Sequence, residues 1–196
     1  MMISSAKTNK LISIGIDVGT VNGAISVVDE DGNILILTKA PYYQTEIKSK
    51  RNKSKLNKET GKYEADFRKR NWVDFKQLRE LFEPFLKYQK IYTIERIMNR
   101  SQEGATAGFV NGNALGIFQG LCSLLEPKAY YEPTPTEWKK NMGLGSVKDN
   151  SIALAEEIYK IKLKDYLLKV KVDDIAEALL LSFYGFKRYY EEKGNK

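Results

Sequence analysis

Hydrophobic positions divide the chain into short alternating runs and longer helical stripes. Leu11, Ile12, Ile14 and Ile16 form an apolar strand pattern that stops on Asp17-Val18-Gly19-Thr20, a turn. Gly23–Asp29 reads as a second strand. Asp31-Gly32 is a hairpin turn signal, and Asn33–Lys39 then returns antiparallel as a third. Asp74–Lys87 places Phe75, Leu78, Leu81, Phe82, Phe85 and Leu86 on a helical stripe, with Asp74 as cap and Pro84 shortening it. Lys90–Glu95 is a fourth strand, again ending on a carboxylate. A long helix is predicted from Gly104, on which Gly112, Gly116 and Gly120 share a face. Three glycines cost helix stability, so their face is expected to approach its own sheet or a partner subunit closely.

Lys128–Glu132 reads as a fifth strand, ended by Pro133 and Pro135, with Thr136 capping a helical turn after it. A loop follows at Gly143–Ser146, then an amphipathic helix over Asp149–Ile161. A basic tether, Lys160–Lys171, leads to a last helix over Asp174–Tyr190. The order βββ–α–β–α–β–α–α–α predicts one α/β domain over residues 1–196, built on a five-stranded mixed sheet with flanking helices.

Residues 41–72 differ in texture. Lys48, Lys50, Arg51, Lys53, Lys55, Lys58, Lys62, Arg68, Lys69 and Arg70 alternate with Tyr42, Tyr43, Tyr63, Phe67 and Trp72, and Glu59–Lys62 reads as a hairpin tip. This is either a basic arm that follows a phosphate backbone, with rings available for bases, or a solvated insertion. The whole chain carries a net charge of +7, which favours an anionic partner, nucleic acid first.

Composition excludes several chemistries. There is no histidine, so Ser-His and Cys-His pairs and His-ligated zinc are ruled out. The single cysteine, Cys122, excludes an internal disulfide and is expected in the core. No apolar run approaches a membrane span and MMISSAKTNK lacks the apolar core of a signal peptide, so a cytoplasmic protein is expected.

Three acidic positions stand out. Asp17 and Glu95 end apolar strands; if these strands are parallel neighbours, both acids emerge at one edge of the sheet. Asp17 also reads as an ordinary turn residue. At the start of the last helix, Asp174 and Glu177 are three apart and Asp173 and Glu177 four apart. Asp174 with Glu177 reads either as a capping box or as a ligand pair. Such a cluster needs cations, and two Mg²⁺ ions would neutralise it, activate water and stabilise the leaving oxygen of a phosphodiester.

In order, IGIDVGT, YTIERI, NALGIFQGL, EPTPTEWKKNMGLGSVKDNSIALAEEIY and VDDIAEALLLS resemble the RuvC-like Holliday-junction resolvases, in their compact phage and bacterial branch. The resemblance runs from about Leu11 to Tyr184, apart from the 41–72 insertion. It implies a ribonuclease-H-like fold and a metal-dependent endonuclease acting on branched DNA, above all four-way junctions, in recombination and repair. It places metal ligands on Asp17, Glu95, Asp174 and Glu177, two Mg²⁺ ions per site with Mn²⁺ able to substitute, and a homodimer in a bacterial cytoplasm, encoded by a bacterium or a phage. Glu177 stands where the family more often has Asp. Family members insert an aromatic side chain at the junction centre; here Ile97-Met98 occupy that place, which leaves Phe109 as an alternative. The resemblance also points to Lys139, Lys140 and Lys148 as phosphate contacts, each equally readable as a solvated lysine. Lys50, Arg51, Lys53, Arg68 and Arg70 are the arm's candidates for DNA contact. Three rivals remain. An actin-like kinase or ATPase would need a duplicated domain and a second phosphate loop, and the chain has one IGIDVGT. The others are an RNA-directed nuclease of the same fold and a junction-binding protein that does not cut.

Overall fold

β1 (Leu11–Asp17) is buried along all seven residues because it has neighbours on both sides and helices on both faces. In the computed structural model it pairs antiparallel with β2 (Ala24–Asp29), which pairs antiparallel with β3 (Ile34–Lys39). The structure describes residues 8–19, 23–48, 55–56, 59, 63–64, 67–97, 104–145, 148–166 and 171–194. The β2–β3 turn carries Gly32 at φ 82°, and the Asp29 carboxylate accepts hydrogen bonds from the Asp31 and Asn33 backbone N–H groups.

The 41–72 insertion begins as an antiparallel ribbon. β4 (Tyr42–Lys48) pairs with β7 (Phe67–Val73) from Tyr42↔Val73 to Lys48↔Phe67, and the short strands β5 (Lys55–Leu56) and β6 (Tyr63–Glu64) pair between them. Glu59 lies in a turn; Thr60–Lys62 of the expected hairpin tip fall outside the described residues. At the ribbon's base the Trp72 indole N–H donates to Thr45 Oγ1 at 2.8 Å.

After α1 (Phe75–Phe82), capped by the Asp74 carboxylate, a 3₁₀ turn at Glu83–Phe85 replaces the last predicted helical turn, as Pro84 requires. β8 (Gln89–Ile94) joins β1 in parallel register. Following α2 (Ala105–Leu124), β9 (Ala129–Tyr131) pairs parallel with β8. The sheet order β3-β2-β1-β8-β9 is the mixed five-stranded arrangement expected: three antiparallel strands, then parallel ones.

Three helices complete the chain: α3 (Pro135–Asn141), α4 (Lys148–Tyr159) and α5 (Val172–Gly194). One expected cap is corrected, and one of two alternative readings falls away. Thr134, not Thr136, caps α3, because Pro135 fits the first helical position and Glu137 closes a reciprocal capping box. α5 starts at Val172, so Asp174 lies inside its first turn and is not the cap. The expected basic tether holds a 3₁₀ turn at Leu163–Asp165 with Leu163 buried; residues 167–170 of it lie outside the described residues.

Strand alternation sorts the core. Ile12, Ile14 and Ile16 face α1 and α2 in a cluster with Phe82, Phe118 and the buried Cys122. Ser13 and Gly15 face α5. There the Ser13 hydroxyl donates to the Ser182 carbonyl at 2.7 Å, and the Ser26 hydroxyl donates to that of Ala178 at 2.7 Å. A Cβ on Gly15 would lie 2.1 Å from the Ala178 carbonyl oxygen, so glycine is what lets α5 lie directly on β1. No helix among the described residues is long and apolar enough to cross a membrane.

Candidate metal centre

Asp17 shares the odd-numbered face of β1 with Ser13 and Gly15, and therefore points toward α5. Glu95, one residue past β8, continues the parity of Ile91 and Thr93; a Cβ on Gly185 of α5 would touch both of those side chains. The Glu95 N–H donates to the Ile16 carbonyl at 3.0 Å, which sets the two strand ends side by side. Glu177 immediately precedes Ala178, the residue pressed on Gly15. One carboxylate oxygen from each of Asp17, Glu95 and Glu177 lies within 4.8 Å of the others. Asp174 stands close enough for its charge to raise the Asp17 pKa, but outside that group of three. Asp173 sits beside it in the first turn.

The cluster is electrostatically crowded. Burial, then Glu95, Glu177 and Asp174, push the Asp17 carboxyl well above the usual range, with Lys139 opposing. Burial also raises Glu95, against the Trp138 indole, and Glu177 adds to the rise. The phenol of Tyr42, at the ribbon's base, is raised by burial and by the charge of Asp17. Three carboxylates with hard oxygen donors suit a hard divalent cation, and such an ion would relieve this crowding.

α3 braces the acids. Trp138 is fully buried, and its indole N–H donates to Glu95 Oε1 at 2.8 Å. The next residue, Lys139, places its ammonium 2.7 Å from Glu177 Oε1 and 5.1 Å from the centre of the Trp138 ring. Lys139, expected as a phosphate contact, therefore points into the acids. Sequence reasoning missed Trp138 and Tyr42 here. The T-x-x-E box at Thr134–Glu137, directly before Trp138, was the available signal for the first; nothing local marked the second.

The other basic candidates spread out. Lys140 is exposed on α3, and Arg70 is half-buried on β7 opposite Thr45. Arg68 lies on β7 and Lys148 opens α4, but their side chains fall outside the described residues, as do Lys50, Arg51, Lys53 and Met98. Phe109 is 63% exposed and meets Trp72 edge-on, with ring centres 6.2 Å apart. The glycine face of α2 approaches nothing: a Cβ on Gly112, Gly116 or Gly120 would find no atom within 4 Å among the described residues.

No protein-family model matches the sequence, and the curated proteins contain no match. Solved structures do match. Thermus thermophilus RuvC in complex with a Holliday junction substrate superposes with a TM-score of 0.55 at 16% identity, covering 93% of this chain and 96% of that one. A second Thermus thermophilus RuvC structure gives 0.50 at 15% identity, with the same coverage. The chain has the RuvC fold. Within the RuvC fold, the ribonuclease-H-like α/β architecture, the cluster lies where the parallel strands β1 and β8 end.

Proposed function

We propose that this chain is a Mg²⁺-dependent endonuclease that resolves Holliday junctions and other branched DNA, acting as a single nuclease domain with a basic insertion. The observation that carries the reading is the convergence of Asp17, Glu95 and Glu177 within 4.8 Å on a RuvC fold, in a chain with no histidine. Asp17, Glu95, Asp174 and Glu177 are the proposed ligands of two ions. Mg²⁺, replaceable by Mn²⁺, would supply Lewis-acid stabilisation of the phosphodiester and an activated water. The protein's own part is to hold the carboxylates in place. β1 and β8 fix two of them, α5 delivers the others, and Trp138 orients Glu95.

DNA is held, in this reading, by the ribbon's cations, including Lys50, Arg51, Lys53, Arg68 and Arg70, and by Lys140 and Lys148. Phe109, exposed on α2 beside Trp72, is available to stack at a branch point. A homodimer would provide one site for each of two strands related by two-fold symmetry. The α2 stripe Gly112–Gly116–Gly120–Leu124 supports this: the glycines are open among the described residues, and Leu124 is 77% exposed. A bacterial cytoplasm, with a bacterial or phage gene, is the setting this activity implies.

The test is cleavage of a labelled four-way junction and a matched duplex, in Mg²⁺ and in EDTA, with Asp17→Asn and Glu177→Gln alongside. Symmetric nicks confined to the junction, lost in EDTA and in both variants, are expected. Binding without cutting in Mg²⁺ or Mn²⁺ would overturn the nuclease reading. Cleavage of branched RNA in preference to DNA would move the substrate, not the chemistry.

A further inference from the structure

A lysine inside a carboxylate cluster competes with the cations that cluster would hold. Lys139 Nζ is 2.7 Å from Glu177 Oε1, close enough for a charge-assisted hydrogen bond. Its stacking on Trp138 and the Trp138 bond to Glu95 hold it there from the other side. Neither partner is sealed in: the Lys139 side chain is 26% exposed and that of Glu177 14%. The ammonium can therefore leave without unfolding α3.

Formal charge separates two states of the site. Asp17, Glu95, Asp174 and Glu177 carry four negative charges when ionised. One divalent ion and the Lys139 ammonium leave the group with one net negative charge. A second divalent ion added with Lys139 in place makes it positive and must also take Glu177 from the ammonium. A phosphodiester changes both terms, because it adds a negative charge and gives Lys139 an alternative acceptor.

Resting on the metal-nuclease reading, we propose that Lys139 couples loading of the second metal to DNA. Without DNA it holds Glu177, and the site keeps one divalent ion. With a backbone phosphate seated, the ammonium moves to a phosphate oxygen and releases Glu177 to the second ion. Lys139 is thus a positioning residue whose two partners alternate, and the ion pair with Glu177 is its resting state. The device would limit two-metal chemistry to occasions when DNA is in the site.

Mn²⁺ titration followed by electron paramagnetic resonance, which counts free ions, tests this without a turnover assay. Wild type, Lys139→Met and Lys139→Arg are compared without DNA, with circular dichroism confirming that each is folded. Wild type and Lys139→Arg should hold one ion, with the second at least about tenfold weaker. Lys139→Met should bind the second about tenfold more tightly than wild type does, because no ammonium competes for Glu177. Adding a four-way junction, corrected for ions held by the DNA alone, should raise wild type to two ions and leave Lys139→Met unchanged. Equal second-ion affinity in folded wild type and Lys139→Met overturns the coupling but leaves the nuclease reading standing. Failure of every protein to bind Mn²⁺ overturns the metal-nuclease reading and the coupling with it.

Discussion

Asp17 is a carboxylate kept nearly out of water, 9% exposed, with other acids as neighbours. Both it and Glu95 hold their protons above the usual carboxylate range, chiefly through burial. The metal-free native state therefore binds protons, just above that range, that the unfolded chain has already released. With more protons bound in the native state, stability falls as pH rises through the window. Glu137 and Glu156 are shifted the other way, mainly by backbone hydrogen bonds at Thr134 and Leu163, and their effect falls at lower pH. In EDTA, the melting temperature is predicted to be higher near pH 5 than near pH 7, about the range in which ordinary carboxylates are already ionised. Mg²⁺ at pH 7 should restore the difference, and Asp17→Asn should flatten the dependence. A wild-type profile in EDTA that rises from pH 5 to pH 7 would show that the acids are not crowded as described. The apolar runs that end on them made Asp17 and Glu95 stand out in the sequence, because an acid that ends a buried strand has few places to go. The direction of Lys139 was not legible: a long flexible side chain on a short exposed helix is aimed by tertiary neighbours, here Glu177 and Trp138.

At the scale of elements, glycine had the opposite meaning in two places. The spacing of Gly112, Gly116 and Gly120 predicted close approach, yet their positions are open; the close approach is at Gly15, where α5 meets β1. One strand glycine between isoleucines gives no sign of what lies across the sheet, whereas a four-residue repeat is conspicuous whether or not anything covers it. Gly15→Ala would push a methyl into the backbone of α5 beside Glu177. The predicted cost is about 2–3 kcal/mol in urea unfolding, with loss of metal affinity in the fraction that folds. An unchanged denaturation midpoint would mean that α5 does not bear on β1 at that point. The α2 glycines should respond in reverse. Gly116→Ala meets no atom within 4 Å among the described residues, so it should stabilise the isolated chain by up to about 1 kcal/mol through helix propensity. If a second copy packs against that face, the same methyl should weaken self-association in light scattering. Stabilisation with no change in association would remove α2 from the interface. The caps follow the same logic: Pro135 and Glu137 determine where α3 begins, and reading Thr136 as the cap overlooked that Pro135 is best placed as the first helical residue.

At the scale of the whole molecule, positive charge is concentrated in one segment of the sequence. Between Pro41 and Val73 there are ten Lys and Arg and four Asp and Glu, so this segment holds six of the seven net positive charges of the chain. Its base is tied to α2 by the Trp72–Phe109 contact, and its two long strands run in register as far as Lys48↔Phe67. Three carboxylates, by contrast, gather where the parallel strands β1 and β8 end. On the proposed function, a molecule divided in this way would bind a polyanion through one region and cut it in another, and the two can be separated experimentally. Replacing residues 49–66 by Asn-Gly would join Lys48 to Phe67 through a two-residue turn and remove six Lys and Arg. If those side chains meet phosphates, affinity for a four-way junction should fall. The slope of log K against log salt should become shallower by about 0.9 for each phosphate no longer neutralised, roughly 2–4 in all. The cleavage rate at saturating DNA should stay near that of wild type, because no proposed metal ligand is touched. An unchanged salt slope would assign DNA binding to Lys140, Lys148 and the surface around the acids. Loss of cleavage at saturating DNA, with the slope altered as predicted, would show instead that the ribbon also positions the strand that is cut.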